Sequence, residues 1–446
     1  MRKKSPTAKK SNKGRMASNS SKSAVVASSK PRLLEVLGPG LITGASDDDP
    51  SGIATYSQAG AQFGFSITWT LLFTYPLMAA IQEISGRLGR TTGYGIATNI
   101  RKHYSNWVLL IIVGLLLIAN MINIGADLGA MGDAVALLIG GPKLFYIVLF
   151  GLVCALLEVF LKYTRYVSVL KWLTLALFAY FGTAMVVQVP WTEAAKGFFI
   201  PSFSADVDFW TTIVAIFGTT ISPYLFIWQA SEEAEDIKAV PERKPLVEAP
   251  RQGKVALERI RLDTYVGMAF SNLVALAIMV TTAATLHAHG VTDVQTSSQA
   301  AEALKPVAGE FAFAIFTIGI VGTGLLAVPV LAGSAAYALG EALKWPSGLG
   351  RKPKDAKAFY ATIVVATVVG MIIGLSPLDP IKALFWSAVI NGFVAVPVMI
   401  MIMLVASSQA IMGSFAIKGP LRALGWLATG VMGLAAGGMV VTSFLG

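Results

Sequence analysis

Cysteine occurs once in these 446 residues, histidine three times, and charged residues make up only 13% of the chain. The lone cysteine, Cys154, excludes an intramolecular disulfide and a cysteine-rich metal site. No nucleotide-binding glycine loop, Gly-x-Ser-x-Gly elbow or His-Glu-x-x-His pair is present, so an enzyme has no support, and no cofactor is called for. Short segments of alternating polarity, the mark of a transmembrane β-barrel, are also missing. The shortage of charge is the most telling deficit, since soluble globular chains are about a quarter charged. Apolar residues take up the difference: 55% of the chain is hydrophobic and the mean hydropathy is +0.66. Runs of bilayer-spanning length recur throughout, which predicts an all-α polytopic membrane protein whose first partner is the lipid bilayer.

Acid is absent from the first 32 residues, which hold Arg2, Lys3, Lys4, Lys9, Lys10, Lys13, Arg15, Lys22, Lys30 and Arg32. These charges equal the formal net charge of +10, so the rest of the chain is balanced. Rich in Ser, Ala and Lys, residues 1–32 are expected to be a disordered tail. No apolar stretch precedes Leu33, which argues against a secretory signal peptide. A cytoplasmic tail touching anionic lipid suits a membrane chain better than a nucleic-acid arm, so no nucleic-acid partner is expected. No obligate protein partner is inferred either.

Residues 33–446 form the predicted transmembrane domain. Eleven spans are expected near 34–63, 66–87, 107–138, 144–162, 166–189, 207–231, 264–287, 310–341, 358–375, 380–407 and 421–445. The third and eighth are longer than the ~20 residues a crossing needs, so they tilt or protrude. Lys and Arg concentrate in alternate connections: Arg87 to Lys102, Lys162 and Arg165, Lys238 to Arg261, Lys344 to Lys357, and Lys418 with Arg422. The opposite connections hold little beyond Lys143, Lys196, Lys305 and Lys382. By the positive-inside rule the N-terminus is cytoplasmic and, after eleven spans, the C-terminus is extracellular.

Two spans are interrupted alike. In the first, "GPGLITGASDDDPSGIATYSQAGAQFG" sets Asp47, Asp48, Asp49 and Pro50 in the middle of an apolar run. In the sixth, "IFGTTISPYLFIWQ" sets Gly218, Thr219, Thr220, Ser222 and Pro223 at the midpoint. Proline removes an amide donor and frees backbone carbonyls, and such backbone occurs within a membrane only where it lines a cavity or is buried in protein. Breaks five spans apart point to an inverted-repeat transporter with a midplane site. The first repeat would cover about 34–189, the second about 207–407, with an extra helix at 421–445. Three aspartates in a soluble chain would be a solvated turn. Between apolar flanks, with no Lys or Arg in either broken span, a transported cation is the natural counter-ion.

The motif "DPSGIATYSQAGAQFG" resembles the first-helix signature of the NRAMP divalent-metal transporters, Asp-Pro-Gly-Asn followed by Ala-Thr and a closing Gly-Ala-Gln-Phe-Gly. "GTTISPYLFIWQ" is similar to that family's Gly-Ala-Thr-Val-Met-Pro-His segment. The resemblance runs over roughly residues 33–445 and implies a LeuT-type fold: two inverted five-helix repeats, broken helices 1 and 6, and an eleventh helix. It also implies a metal bound by a carboxylate, an Asn, a Met sulfur and a backbone carbonyl.

Here the carboxylate falls on Asp49 and the carbonyl on Thr219, whereas Gly52 stands at the Asn position and Ser222 at the Met position. Loss of the thioether removes the preference for softer metals. The donors left are oxygen, from Asp49, Asp48, Ser222 and freed carbonyls, and the two truncations are expected to leave room for bound water. Magnesium takes oxygen ligands in octahedral geometry and keeps several waters. The family's proton carriers are altered in parallel. Asp127 is kept, but Ala130 stands at the Glu position and Tyr224 and Gln229 at the two His positions. Tyrosine, with a pKa of ~10, does not relay protons at neutral pH as histidine does. The pattern is most like the NRAMP-related magnesium transporter branch, with Mg2+ (or Mn2+) as substrate and no obligatory proton. A prokaryotic plasma membrane is the expected location.

Other polar groups keep two readings each. Asn120, Asn123 and Asp127 share one helical face, as helix packing or a water-lined path, and Asn391 carries the same ambiguity. Glu232, Glu233, Glu235 and Asp236 read first as a solvated face and second as an acidic vestibule for a leaving cation. His287 and His289 read as a wet helix end rather than a metal pair. Two rival functions stay open: a proton-coupled Mn2+/Fe2+ transporter of the same family, and a sodium-coupled organic-solute symporter on the same fold. Against the second, three aspartates would repel a substrate carboxylate.

Overall fold

The structure is a computed structural model and describes residues 46–160 and 173–445. The basic tail, the first part of the first span and residues 161–172 of the fourth and fifth spans lie outside these. Every regular element among the described residues is helical.

The helices run α1 Pro50–Phe63, α2 Trp69–Thr92, α3 Asn106–Ile139, α4 Lys143–Phe160, α5 Phe178–Val186 and α6 Val207–Thr220, then α7 Pro223–Ala239 and α8 Gly253–Thr285. They continue with α9 Ala312–Ala342, α10 Lys357–Gly374, α11 Pro380–Ser407 and α12 Gly419–Leu445. Taken with α7 as one unit, α6 is among eight described helices long and apolar enough to cross a membrane. A further pair, α1 and α2, qualifies jointly across a 110° bend, and Leu175–Val186 is a shorter apolar helix. The described residues thus hold eight such helices, or nine if the bent pair is one span; the eleven expected from hydropathy include a first and a fifth span that lie partly outside them.

The two breaks share a local grammar. Asp49 is extended (φ −68°, ψ 171°) and Pro50 opens α1; Ser222 is extended (φ −79°, ψ 121°) and Pro223 opens α7. Proline suits the first turn of a helix because its missing N–H would have no intrahelical acceptor there. The remaining half of the sixth span, α6, ends at Thr220, so only Ile221 and Ser222 separate the halves.

The charged ends of two helices outrun the apolar stretches. Hydropathy closes the sixth span at 231, yet α7 continues to Ala239; it opens the seventh at 264, yet α8 begins at Gly253. Added residues such as Lys254, Glu258 and Arg259 propagate a formed helix cheaply, one hydrogen bond for each residue fixed.

Burial sorts centre from rim. The apolar window of Val207–Lys238 is 94% buried, against 22% for Lys143–Phe160 and 33% for Gly419–Phe444. The broken sixth span therefore runs through the middle, with α4 and α12 outside. Close approach relies on glycine, as membrane helix pairs do. At Gly218 of α6 a Cβ would run into the Ala388 carbonyl and the Gly392 backbone of α11. At Gly125 of α3 it would meet Ile373 and the Gly370 carbonyl of α10. The cationic connections after the second, sixth and eighth spans meet at one end of the bundle. There the Arg90 guanidinium donates to the Lys244 carbonyl at 2.6 Å, and Arg101 donates to the Glu341 carbonyl.

Candidate functional site

Three hydrogen bonds hold Asp49. As N-cap of α1, its Oδ1 accepts from the Gly52 N–H at 2.8 Å and from the Ser51 hydroxyl at 2.5 Å. A carboxylate here answers the free amides and positive dipole of a helix start. Its Oδ2 accepts from Asn123 Nδ2 of α3 at 3.1 Å. The Tyr224 hydroxyl of α7 lies 3.4 Å from that oxygen but 2.9 Å from the Ser46 carbonyl. A phenol has one hydrogen, and the shorter contact takes it, so Oδ2 retains accepting capacity. Ser387 of α11 lies 2.7 Å from Asn123 Oδ1 and can donate to it, which turns the amide nitrogen toward Asp49.

At the second break, Pro223 cannot donate to Thr219, four residues back. The Ser222 hydroxyl substitutes, donating to the Thr219 carbonyl at 2.6 Å, with the Gly218 carbonyl 3.3 Å away. Its hydrogen is spent inside the chain turn; its lone pairs are not. Gly52 faces this turn. A Cβ on it would lie 3.3 Å from Thr219 Oγ1 and 3.3 Å from the Tyr56 ring. The extra room expected from Gly52 is therefore not there, because Tyr56 and Thr219 occupy it.

The three aspartates part company. Asp48, expected beside Asp49, points elsewhere: the Ser271 hydroxyl of α8 lies 2.6 Å from Asp47 Oδ2 and 3.0 Å from Asp48 Oδ1. One hydroxyl hydrogen thus serves two buried carboxylates. Among the described residues no three His, Cys, Asp or Glu side chains converge in a metal-holding group. The oxygens at the breaks are those of Asp49, the Ser222 hydroxyl and the Thr219 carbonyl, with Tyr224 beside Asp49, while Asn123 turns its amide nitrogen to Asp49 and its oxygen to Ser387.

The remaining candidates divide. Asp127 sits one turn along α3 from Asn123, fully buried, and neither carboxylate oxygen has a hydrogen-bond partner among the described residues. Asn120 packs helices, donating to the Leu331 carbonyl at 2.9 Å and Ser334 at 2.8 Å. Asn391 is buried on α11 with no hydrogen-bond partner for its side-chain amide among the described residues. Gln229 accepts from Gln82 of α2 at 3.2 Å and belongs to the α2–α7 contact. Glu233 pairs with Arg259 of α8, ten residues from Pro223 and so roughly 15 Å along the helix. The run it belongs to is not a solvated face: Glu233 and Asp236 are buried, Asp236 is ion-paired to Arg243, and Glu235 accepts from Tyr337. His287 and His289 are exposed and rest on the carbonyls of Ala61 and Thr285. Ser271 and Ser387, which complete the site, had no signal in sequence; single serines in apolar helices are too common to single out.

A family model for Natural resistance-associated macrophage protein-like (Nramp) proteins matches residues 40–442. The chain belongs to the Nramp family. Among Nramp relatives, the divalent metal cation transporter MntH of Klebsiella pneumoniae (strain 342) is 26% identical over 432 residues, covering 93% of this chain and 95% of that protein. MntH of Deinococcus radiodurans is 25% identical, covering 93% and 91%. Among solved structures, an Eremococcus coleocola manganese transporter superposes with a TM-score of 0.72 at 16% identity, covering 92% of this chain and 87% of that one. Mhp1, a nucleobase-cation-symport-1 family transporter, superposes at 0.54 with 15% identity, covering 92% and 93%. The fold is LeuT-type, as the resemblance implies.

Proposed function

We propose that this integral membrane protein is a secondary transporter that takes up divalent metal cations by alternating access, with hydrated Mg2+ as the main substrate and Mn2+ as a second. The observation that carries this is the donor set where the two broken helices meet. Asp49 brings carboxylate oxygens at the first break, and Ser222 and Thr219 bring a hydroxyl and a carbonyl oxygen at the second, which approaches it where Gly52 lies against Thr219; no sulfur or imidazole is among them. Hard oxygen ligands of this kind suit Mg2+. Two carboxylates on Ser271, one carboxylate on the site and no Lys or Arg at the breaks also favour a cation over an anionic solute.

Uptake runs without an obligatory proton, because Ala130, Tyr224 and Gln229 stand where carriers would be needed. The cation-rich connections support a cytoplasmic N-terminus and an extracellular C-terminus, in what we take to be a prokaryotic plasma membrane. One observation favours the rival, proton-coupled Mn2+ transport: Asp127, buried and without a partner among the described residues, is the kind of carboxylate that carries protons.

Purified protein in liposomes, offered Mg2+ and Mn2+ with a trapped pH dye, tests both. Mg2+ uptake that Asp49→Ala abolishes, with a flat dye signal, is the expected result. Mn2+ uptake alone, with acidification, would replace this function by the rival.

A further inference from the structure

At the end where the cationic connections meet, a cavity of about 250 Å³ opens between α7, α9 with the loop after it, and the short helix Ile96–His103. Four bases from three separate stretches line it: Arg101, Lys238, and Lys344 with Arg351. Its two acids, Glu235 and Glu341, are already engaged. Glu341 accepts from the Thr98 N–H at 2.9 Å and the Ser231 hydroxyl at 3.1 Å. Glu235 accepts from the Tyr337 hydroxyl at 2.5 Å and the Gly350 N–H at 3.1 Å. Lys238, Lys344 and Arg351 have no carboxylate within ion-pair distance among the described residues.

A second observation sets Lys344 apart. It is the one non-glycine residue with positive φ (62°) among the described residues. The Trp345 N–H bonds back to the Gly340 carbonyl at 2.8 Å, closing α9 in the manner that ordinarily takes glycine at this position. Lysine here carries strain that glycine would not, and Lys344 is one of the residues that line the cavity.

We propose that this cavity is a regulatory site for a phosphate-bearing anion, and that its occupation slows transport. Arg and Lys together are the usual recognition pair for phosphate, one bidentate and one a point charge. The walls supply the mechanism. Lys238 belongs to α7, the half-helix that starts at the Ser222–Pro223 break, while Lys344 and Arg351 belong to α9 and its loop. A phosphate bridging them fastens one half of the broken helix to a neighbour that is not broken. Any step that moves α7 against α9 is then opposed by the difference in the anion's affinity between the two arrangements.

The test uses full-length protein. Binding of ATP and of inorganic phosphate is measured by calorimetry in metal-free buffer, because nucleotides chelate divalent ions. Wild type is expected to bind, and Lys238→Gln with Arg351→Gln to weaken binding at least tenfold while keeping the wild-type melting temperature. Lys344→Gly separates ligand from strain: it should weaken binding severalfold and raise the melting temperature. In liposomes, ATP on the side of this cavity should slow Mg2+ uptake at least twofold in wild type and not in the double variant, whose uptake without ATP should be unchanged. Repeating the binding in phosphatidylglycerol and in phosphatidylcholine vesicles assigns the source: loss of ATP binding only in phosphatidylglycerol identifies a lipid headgroup as the phosphate. No binding by wild type, or equal binding by the double variant, overturns the site. The uptake arm rests on the proposed Mg2+ transport; absence of Mg2+ uptake without ATP would count against that function, while calorimetry still decides the cavity.

Discussion

The side-chain amide of Asn123 donates to Asp49 at 3.1 Å, joining a residue in the middle of α3 to the cap of a broken helix. The bond makes Asn123 part of the site and gives a graded expectation. Asp49→Ala should abolish uptake with expression intact, since the principal anionic ligand is gone. Asn123→Ala should raise the KM for the metal by about ten- to a hundredfold, the worth of a hydrogen bond to a charged group at about 1.5–3 kcal/mol. Radiotracer uptake into liposomes checks both, and normal uptake by Asp49→Ala would remove it from the site.

Selectivity should turn on residue 222 more than on residue 52. Ser222→Met places a thioether beside Asp49 and should strengthen Cd2+ and Mn2+ binding relative to Mg2+ in calorimetry. Gly52→Asn adds a Cβ 3.3 Å from both Tyr56 and Thr219, so it should lower the melting temperature before it improves any site. A Gly52→Asn variant as stable as wild type would mean that these neighbours yield freely.

Ser271→Ala removes the hydroxyl that serves Asp47 and Asp48. Leaving buried acceptors unmatched costs about 1–3 kcal/mol, so the melting temperature should fall. Asp49 keeps its own partners, and the KM for Mg2+ should stay within about twofold. A large KM change with unaltered stability would instead place the Asp47–Asp48 pair in the ion's path.

The driving force can be stated in numbers. One charge crossing 100 mV gains ~2.3 kcal/mol, so a divalent ion gains about 4.6 kcal/mol. At ~1.4 kcal/mol per tenfold, this supports roughly three orders of magnitude of accumulation. An inside-negative potential with no pH gradient should therefore suffice for Mg2+ uptake while a lumenal pH dye stays flat. Mg2+-dependent acidification that Asp127→Asn removes would show that protons travel too.

Much of the fold was legible because its signals are local. Pro50 and Pro223 mark the breaks by lacking an amide, and the apolar runs mark the spans. Asp49 stood out in sequence as a carboxylate between apolar flanks, while its role as the cap of α1, accepting from the Gly52 amide, came from the structure. What could not be read depends on residues distant in the chain. Asp48 and Asp49 are neighbours, yet which way each points is decided by Ser271 on one side and Asn123 on the other. The acidic run of α7 looked solvated because its partners, Arg259, Arg243 and Tyr337, come from other segments. Gly52 looked like a vacated space, and only the packed helices show Tyr56 and Thr219 filling it.

The contact between Gly218 and Gly392 has a mechanical consequence. Backbone resting on backbone leaves no side chain to deform, so α6 is anchored to α11 three residues before its helix yields to Ile221. A fulcrum so near the break leaves the torsions of Ile221 and Ser222 to absorb any swing of α7. The lever then moves with its short arm at the ion and its long arm, ending at Lys238, at the mouth of the basic cavity.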